Sequence, residues 1–515
     1  QSPTSYSARR CAREWGSREG LGVNTIPRLL ADAVARDADA IAVVDRDGDE
    51  RVTYGELAER VRSFGAALVE RGVEPGDRVA IWAPNSVRWI VAMFGASSAG
   101  ATIVPVNTRF KGDEAAAILR RSGARVLVTV SEFLGADYVA MLRAADPDLE
   151  IDTIAGDLPA GSGASLGELD ARAMAVAPSD PSDIVFTSGT TGVAKGVVQT
   201  HTGTTCVARD WVAMTGITAD DRYLMVNPYF HMFGFKAGIL ASVAAGLTMY
   251  PVAVFDAGAV LDTVERERIT VLPGAPTLYR SLLDTPGAGE RDLSSLRIAV
   301  TGAADIPVPL IERVMHELPF ETVLAGYGLS EGGTATATEP GDPPDAIATT
   351  VGKARPGFEL RIDGADTGEI LLRGPSIMSH YLDDPEATAA ALSEDGWLRT
   401  GDIGTIGDDG RLRIVGRSKD MFIVGGFNAY PAEIENALLR CPGVDQVAVI
   451  GIPDDRMGEV GMAFVVGDAR PDDVMAWARE HMANYKVPRR VEVLDSLPIN
   501  AAGKVEKLVL REMIS

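Results

Sequence analysis

The stretch FTSGTTGVAKG, residues 186–196, follows the apolar pair Ile184 and Val185, so a strand runs into a loop of glycines, hydroxyls and one lysine. Gly189 and Gly192 lie three apart, Lys195 follows three later, and Gly196 comes directly after it. A Walker A loop sets its lysine directly after the second glycine and a hydroxyl directly after the lysine. This loop does neither. Its chemistry still suits phosphate: Thr187, Ser188, Thr190 and Thr191 supply hydroxyl donors, while Gly189 and Gly192 let the backbone turn tightly and expose its amides. With the charge of Lys195 added, the loop reads as a wrap for a polyphosphate. The plain alternative is a polar turn after a strand.

Apolar strands that run into glycine-rich turns recur outward from this loop. DRVAIWAP (77–84), ATIVPVN (101–107), RVLVTV (125–130) and YLMVNP (223–228) read as buried strands, with helical stretches such as SVRWIVAMFGASSAG (86–100) between them. ITVLPGAP (269–276), SLRIAVTGAA (295–304) and TVLAGYG (322–328) continue the pattern. IPRLLADAVARD (26–37) has helical spacing, and AIAVVDRDGDERVT (40–53) reads as two strands around an Asp-Gly turn. The next helix has Thr53 as N-cap and Gly72 as its stop. Strand–helix alternation on this scale predicts doubly wound α/β sheets, whose ligands gather at the strands' C-terminal ends.

After about residue 351 the pattern changes. FELRID (358–363), GEILLRGP (368–375), RLRIVGR (411–417) and DMFIVGG (420–426) are short strands with little helix between, which predicts a β-rich subdomain. Two helices and three strands follow, a small α+β unit within the usual domain range. The expected division is an N-terminal extension at 1–24 outside the function, a large domain at 25–418 and a small one at 419–515.

Composition narrows the function classes. At 515 residues the chain is too long for one ordinary core; 46% hydrophobic and 23% charged residues are those of a globular protein. Its net charge of −23, with 72 acidic against 49 basic residues, opposes nonspecific nucleic-acid binding and docking on anionic lipid. No apolar run approaches the roughly 18 residues of a membrane-spanning helix. The segment 1–22 is basic and Ser/Arg-rich, starts without Met and lacks the apolar stretch of a secretory signal. Cys11, Cys206 and Cys441 stand apart with no CxxC spacing, which fits a reducing, cytoplasmic setting.

Further strings carry candidate chemistry. In AGYGLSE (325–331), Tyr327 offers a ring for a base, Ser330 a phosphate donor and Glu331 a carboxylate for Mg²⁺; a surface turn is the alternative. In GWLRTGDIG (396–404), Asp402 follows a glycine turn and could accept both hydroxyls of a ribose, or simply make an Asx turn. GRSKDMFIVGGFNAYPAEIE (416–435) and LPINAAGKVEK (497–507) complete the set, the latter with Lys504 in a short polar turn.

Together, in this order and spacing, these strings resemble the adenylate-forming superfamily of acyl-CoA synthetases, peptide-synthetase adenylation domains and beetle luciferases. The resemblance covers about residues 26–510. It implies a large N-terminal domain, a small mobile C-terminal domain and two steps: carboxylate plus ATP gives acyl-adenylate and pyrophosphate, then coenzyme A takes the acyl group and AMP leaves. It implies that Thr187, Ser188, Gly189, Thr190, Thr191, Gly192 and Lys195 embrace the β- and γ-phosphates, with Thr190 and Glu331 on Mg²⁺. By the same resemblance Gly302, Ala303 and Ala304 would form the adenine turn, with Tyr327 stacking on the adenine and Gly328 beside it, and Ser330 would contact the α-phosphate. The family often has Thr at that last position. It further implies that Asp402 and Arg417 hold the ribose, that Lys504 bridges carboxylate and α-phosphate, that Lys419 is the hinge, and that Gly425, Gly426 and Phe427 face the pantetheine tunnel.

For the acid, NPYFHMFGFKAG (227–238) matches the family's acyl-pocket mouth, with His231 as a catalytic gate and Phe235, Gly238 and Gly326 in the pocket. Packing alone is the other reading of His231. Relatives that activate amino acids place an aspartate here for the substrate ammonium; HMFGF offers none, which favours an acid without an α-amino group. No carrier domain follows Lys504 before Ser515, which favours free coenzyme A. Residues 226–240, 269–284 and 294–308 look similar to actinobacterial acyl-CoA ligases that act on the bicyclic propanoate left by steroid ring degradation, and Gly234, Gly238, Ala303 and Ala304 would leave room for such an acid. Medium-chain acids remain the alternative, with a luciferase-like oxygenase and a non-catalytic nucleotide-binding module behind them. Oligomeric state stays open, a homodimer being one option.

Overall fold

The computed structural model describes residues 24–45, 50–187, 194–302, 308–417, 420–424, 427–454, 457–482, 484–500 and 504–514. Local signals explain most of the first elements. Helix Ile26–Arg36 carries Pro27 in its first turn, where a missing amide hydrogen costs nothing, and buries Ile26, Leu29, Leu30 and Ala33. Helix Tyr54–Glu70 begins with a complete capping box: the Thr53 side chain accepts from the Glu56 amide and Glu56 accepts from the Thr53 amide.

Two sheets form the larger part. One has seven strands, with Pro181–Thr187 between Lys195–Thr200 and Thr102–Pro105, followed by Arg78–Trp82, Val126–Thr129 and Asp152–Ala155. It is parallel except at the edge where Lys195–Thr200 folds back on Pro181–Thr187 and then pairs with His380–Tyr381. The other is assembled from two four-stranded halves. Arg222–Met225, Thr248–Pro251 and Ile41–Asp45 are parallel in one, Ile298–Gly302 and Thr322–Leu329 in the other. The strand expected in ITVLPGAP shrinks to Val271, which bridges the halves by pairing with Tyr223 and Ile298. Pro273 and Pro276 follow it and cannot donate to a ladder.

A four-stranded antiparallel sheet, Glu359–Asp363, Gly368–Arg373, Leu398–Ile406 and Leu412–Arg417, forms the β-rich subdomain, but the strand expected in it at DMFIVGG pairs in the last unit instead, where Phe422 is buried in that unit's core. The last unit has five strands, Phe422–Val424, Phe427–Ala429, Gln446–Asp454, Gly458–Val466 and Arg490–Val493, with helices Pro431–Leu438, Pro471–His481 and Lys507–Glu512. It closes its own core around Phe422, Ile434, Leu438, Val449, Phe464 and Leu510. The large and small domains of the sequence reading are both present; residues 418 and 419, where the boundary was expected, lie outside the described residues. Among the described residues no helix is long and apolar enough to cross a membrane. The expected isolated thiol is met at Cys441, which is free and buried. It is not met at Cys206, which is disulfide-bonded.

His201 opens the helix His201–Thr215 and lies in the interior, where its Nδ1 accepts from the Ile26 amide at 3.2 Å. Burial lowers its pKa to about 4 despite nearby Asp183 and Asp180. The unfolded chain therefore binds a proton that the fold excludes. Its stability contribution is complete above the ordinary imidazole value near 6.5 and is lost as pH falls toward 4. In His201→Asn, which keeps an acceptor for Ile26, the pH dependence of the unfolding midpoint between those values should weaken by about one proton; an unchanged slope would place the acid sensitivity elsewhere.

Candidate active site

The site forms where the ends of three sheets meet. Thr187 and Lys195 face each other across the mouth of the phosphate-loop hairpin, and the Thr187 hydroxyl donates to the Lys195 carbonyl at 3.4 Å. Ser188, Gly189, Thr190, Thr191 and Gly192, between them, lie outside the described residues. The Lys195 ammonium sits over the Tyr381 ring, 4.8 Å from its centre. From the same ring the hydroxyl donates to Glu331 Oε1 at 2.9 Å. Burial and the Glu331 carboxylate push the Tyr381 phenol well above its ordinary pKa, so it stays a donor.

Glu331 follows the strand Thr322–Leu329, and its carbonyl accepts from the Met378 amide at 2.7 Å. Gln199 Nε2 donates to the Ser376 carbonyl at 2.9 Å and approaches the Ser330 carbonyl at 3.5 Å, tying this segment to the hairpin. Tyr327 was expected at a turn but belongs to the strand, its side chain only 8% exposed. Its hydroxyl donates to Asp402 Oδ2 at 2.6 Å, and Asp402 Oδ1 pairs with Arg417 Nε at 3.0 Å. Asp402 and Arg417 are opposite residues of neighbouring strands. Gly401, just before Asp402, has φ +72°, a left-handed kink inside a strand that supplants the expected turn. Gly302 and Gly326 are paired on parallel strands, and a Cβ on Gly302 would lie 2.6 Å from the Gly326 carbonyl oxygen. One on Gly328 would lie 2.4 Å from the Gly333 carbonyl oxygen. Ala303 and Ala304 lie outside the described residues, as do Lys419, Gly425 and Gly426 and the side chain of Phe427.

His231 caps the short helix Met232–Gly234, its Nδ1 accepting from the Phe233 amide at 3.2 Å. Close packing and, secondarily, the positive charge of Lys504 lower its pKa to about 4, so the ring is neutral at pH 7. The charge of Lys504, in the C-terminal turn, is thus felt at His231; the Lys504 amide donates to Asn500 Oδ1 at 3.1 Å. Phe235 is fully buried, edge-on to Trp89 at 5.8 Å. Gly234 does not leave room for a substrate: a Cβ there would lie 2.2 Å from the Pro228 carbonyl oxygen, so its bareness serves the turn. Asn85 clamps this turn, donating to the Met225 and Asn227 carbonyls at 2.9 Å each and accepting from the Tyr229 amide at 2.8 Å.

Among the described residues no three His, Cys, Asp or Glu gather as a metal cage. Glu331 beside the phosphate loop fits instead the one or two carboxylates with which Mg²⁺ is held when it arrives on phosphates. Residues 30–382 match the AMP-binding enzyme family, and residues 433–504 match its C-terminal domain. The chain belongs to the AMP-binding enzyme family. Two relatives share most of its length. The (7a-methyl-1,5-dioxo-octahydro-1H-inden-4-yl)propanoyl:CoA ligase of Mycobacterium tuberculosis is 52% identical, covering 95% of this chain and 99% of its own. The ligase of the same name from Rhodococcus jostii is 48% identical, covering 95% and 98%. ATP-bound MatB from Rhodopseudomonas palustris superposes with a TM-score of 0.83 at 30% identity, covering 95% of this chain and 98% of its own. This AMP-binding enzyme is an AMP-forming acid–thiol ligase.

Tyr381, Gln199 and Asn85 were not singled out from the sequence. Each acts through partners remote in the chain, so no local spacing marks them. The glycines give a direct check on the site's packing. Gly234→Ala should destabilise the enzyme by about 1–3 kcal/mol. Gly238→Ala, whose Cβ would meet only Met225 Sδ at 3.3 Å and the Phe233 carbonyl oxygen at 3.4 Å, should cost less. Urea unfolding of the two variants measures the difference.

Proposed function

We propose that the enzyme joins a bulky bicyclic propanoic acid to coenzyme A in two steps, through an acyl-adenylate. The observation that carries the reading is that the positive charge of Lys504, from the C-terminal unit, acts on His231, on the acyl segment, and helps to lower the imidazole pKa. That is where a carboxylate must approach an α-phosphate, and the two anions repel. Lys504 offsets that repulsion; Thr187, Lys195 and the loop between them grip the departing pyrophosphate. Glu331, with Thr190, would hold Mg²⁺ on the nucleotide, which when bound screens the phosphate charge. Tyr327 and the turn at Gly302–Ala303–Ala304 take the adenine, Gly328 lies beside it, Ser330 takes the α-phosphate, and Asp402 with Arg417 takes the ribose. His231, Phe235, Gly238 and Gly326 belong to the acyl side. The acid is assigned from the names of the two relatives, 52% and 48% identical across nearly the whole chain.

For the second step, the unit at 419–515 rotates about Lys419, withdraws Lys504 and brings Gly425, Gly426 and Phe427 to the pantetheine arm of coenzyme A. Residues 1–24 take no part in this chemistry.

A panel of acids with ATP and coenzyme A, followed by AMP release, tests the substrate. The bicyclic propanoate should lead; strong turnover of octanoate with none of the bicyclic acid would reverse the assignment. Lys504→Ala should slow acid-dependent ATP–pyrophosphate exchange by about 10²–10³-fold or more, while thioester formation from supplied acyl-adenylate largely persists. Equal losses in both half-reactions would rule out the domain rotation.

A further inference from the structure

Beneath the acyl segment lies a buried ion pair with no part in the scheme above. Lys236 Nζ is 2.9 Å from Asp183 Oδ1, with the two side chains 2% and 0% exposed. The other carboxylate oxygen accepts from the hydroxyls of Ser182 at 2.7 Å and Thr204 at 2.5 Å. Oδ1 receives no hydrogen bond from the described residues and faces the Lys236 ammonium. Removing either charge would leave the other stranded and uncompensated in the interior.

The two partners sit on unequal supports. Asp183 is on Pro181–Thr187, which is hydrogen-bonded on both sides, to Lys195–Thr200 and to Thr102–Pro105, and which leads into the phosphate loop. Lys236 is on the π-helical turn Phe235–Leu240, which directly follows His231, Phe233 and Gly234. A π turn is a rare and weaker geometry that shifts the facing of the side chains around it, and such turns recur at functional sites. The fixed strand therefore holds the turn, and losing the tie would let the turn move while the strand stays.

We propose that Lys236 is a positioning residue that sets acid selectivity: its ion pair with Asp183 fixes the π turn and with it the acyl face next to His231. Lys236 touches neither the acid nor the nucleotide in this assignment; it acts through the backbone of residues 231–240. The proposal deepens the ligase reading and rests on it.

The test uses Lys236→Arg, Lys236→Met and the neutral pair Lys236→Met with Asp183→Asn, the last guarding against a single variant that fails to fold. For each, the thermal midpoint, the ATP dissociation constant, and KM and kcat with the bicyclic acid and with octanoate are measured. The neutral pair should fold and bind ATP within about twofold of the parent. Its KM for the bicyclic acid should rise about tenfold or more, and the ratio of kcat/KM between the acids should shift about as much, since small misplacements cost large factors. Lys236→Arg should recover most of the ratio. A neutral pair with unchanged KM and ratio, or one that weakens ATP and acid equally, would overturn the proposal. So would one that does not fold, because the pair would then serve stability alone. An unmodified enzyme that turns over none of the acids would instead sink the ligase reading.

Discussion

The hydrogen bond from Tyr327 to Asp402, 2.6 Å long and shielded from water, holds the site together. It joins a strand of the doubly wound sheet to a strand of the β-rich subdomain, two units that also exchange backbone hydrogen bonds where the Val351 amide meets the Leu412 carbonyl and the Leu412 amide the Gly352 carbonyl. Burial and the carboxylate keep the phenol protonated, so the contact does not switch off near neutrality. On the far side of the carboxylate Arg417 balances the charge, and on the far side of the strand Glu331 and Tyr381 reach the hairpin of the third sheet. The site is thus a seam between sheets, and every group in it depends on those sheets keeping their spacing.

Much of the architecture was legible because the signals were local. Thr53 with Glu56 announces a helix by satisfying its own end groups, and the Val/Ile runs before glycine turns announce buried parallel strands. ITVLPGAP failed for an equally local reason, the two prolines that leave Val271 as the sole bridging residue. For the proposed site, the loop hydroxyls, Tyr327, Asp402 and Lys504 were named because their chemistry sits in recognisable strings. Their surroundings could not. Asp402 looked like a turn residue, yet it lies in a strand kinked at Gly401, and Tyr327 looked open when it is nearly enclosed.

Contacts between remote segments left no trace in the sequence. Tyr381 reads as one aromatic in HYLDD; only the pairing of His380–Tyr381 with the hairpin puts it under Lys195 and beside Glu331. Lys236 reads as a charge breaking an apolar run, and its partner Asp183 as a polar residue before a strand. That each neutralises the other inside the protein follows from tertiary placement alone. Gly234 was misread in the opposite sense, since a missing side chain can mark a crowded backbone as readily as an open pocket.

Among the described residues, the C-terminal sheet packs its core from its own apolar side chains and none from the larger part. Two cores that do not interlock can accumulate substitutions independently. Variation in the acyl segment then requires no compensating change around Phe422 or Phe464, and the lysine-bearing unit can stay constant while the acid it serves changes. In evolutionary terms, the division lets one adenylating device be fitted to many carboxylic acids.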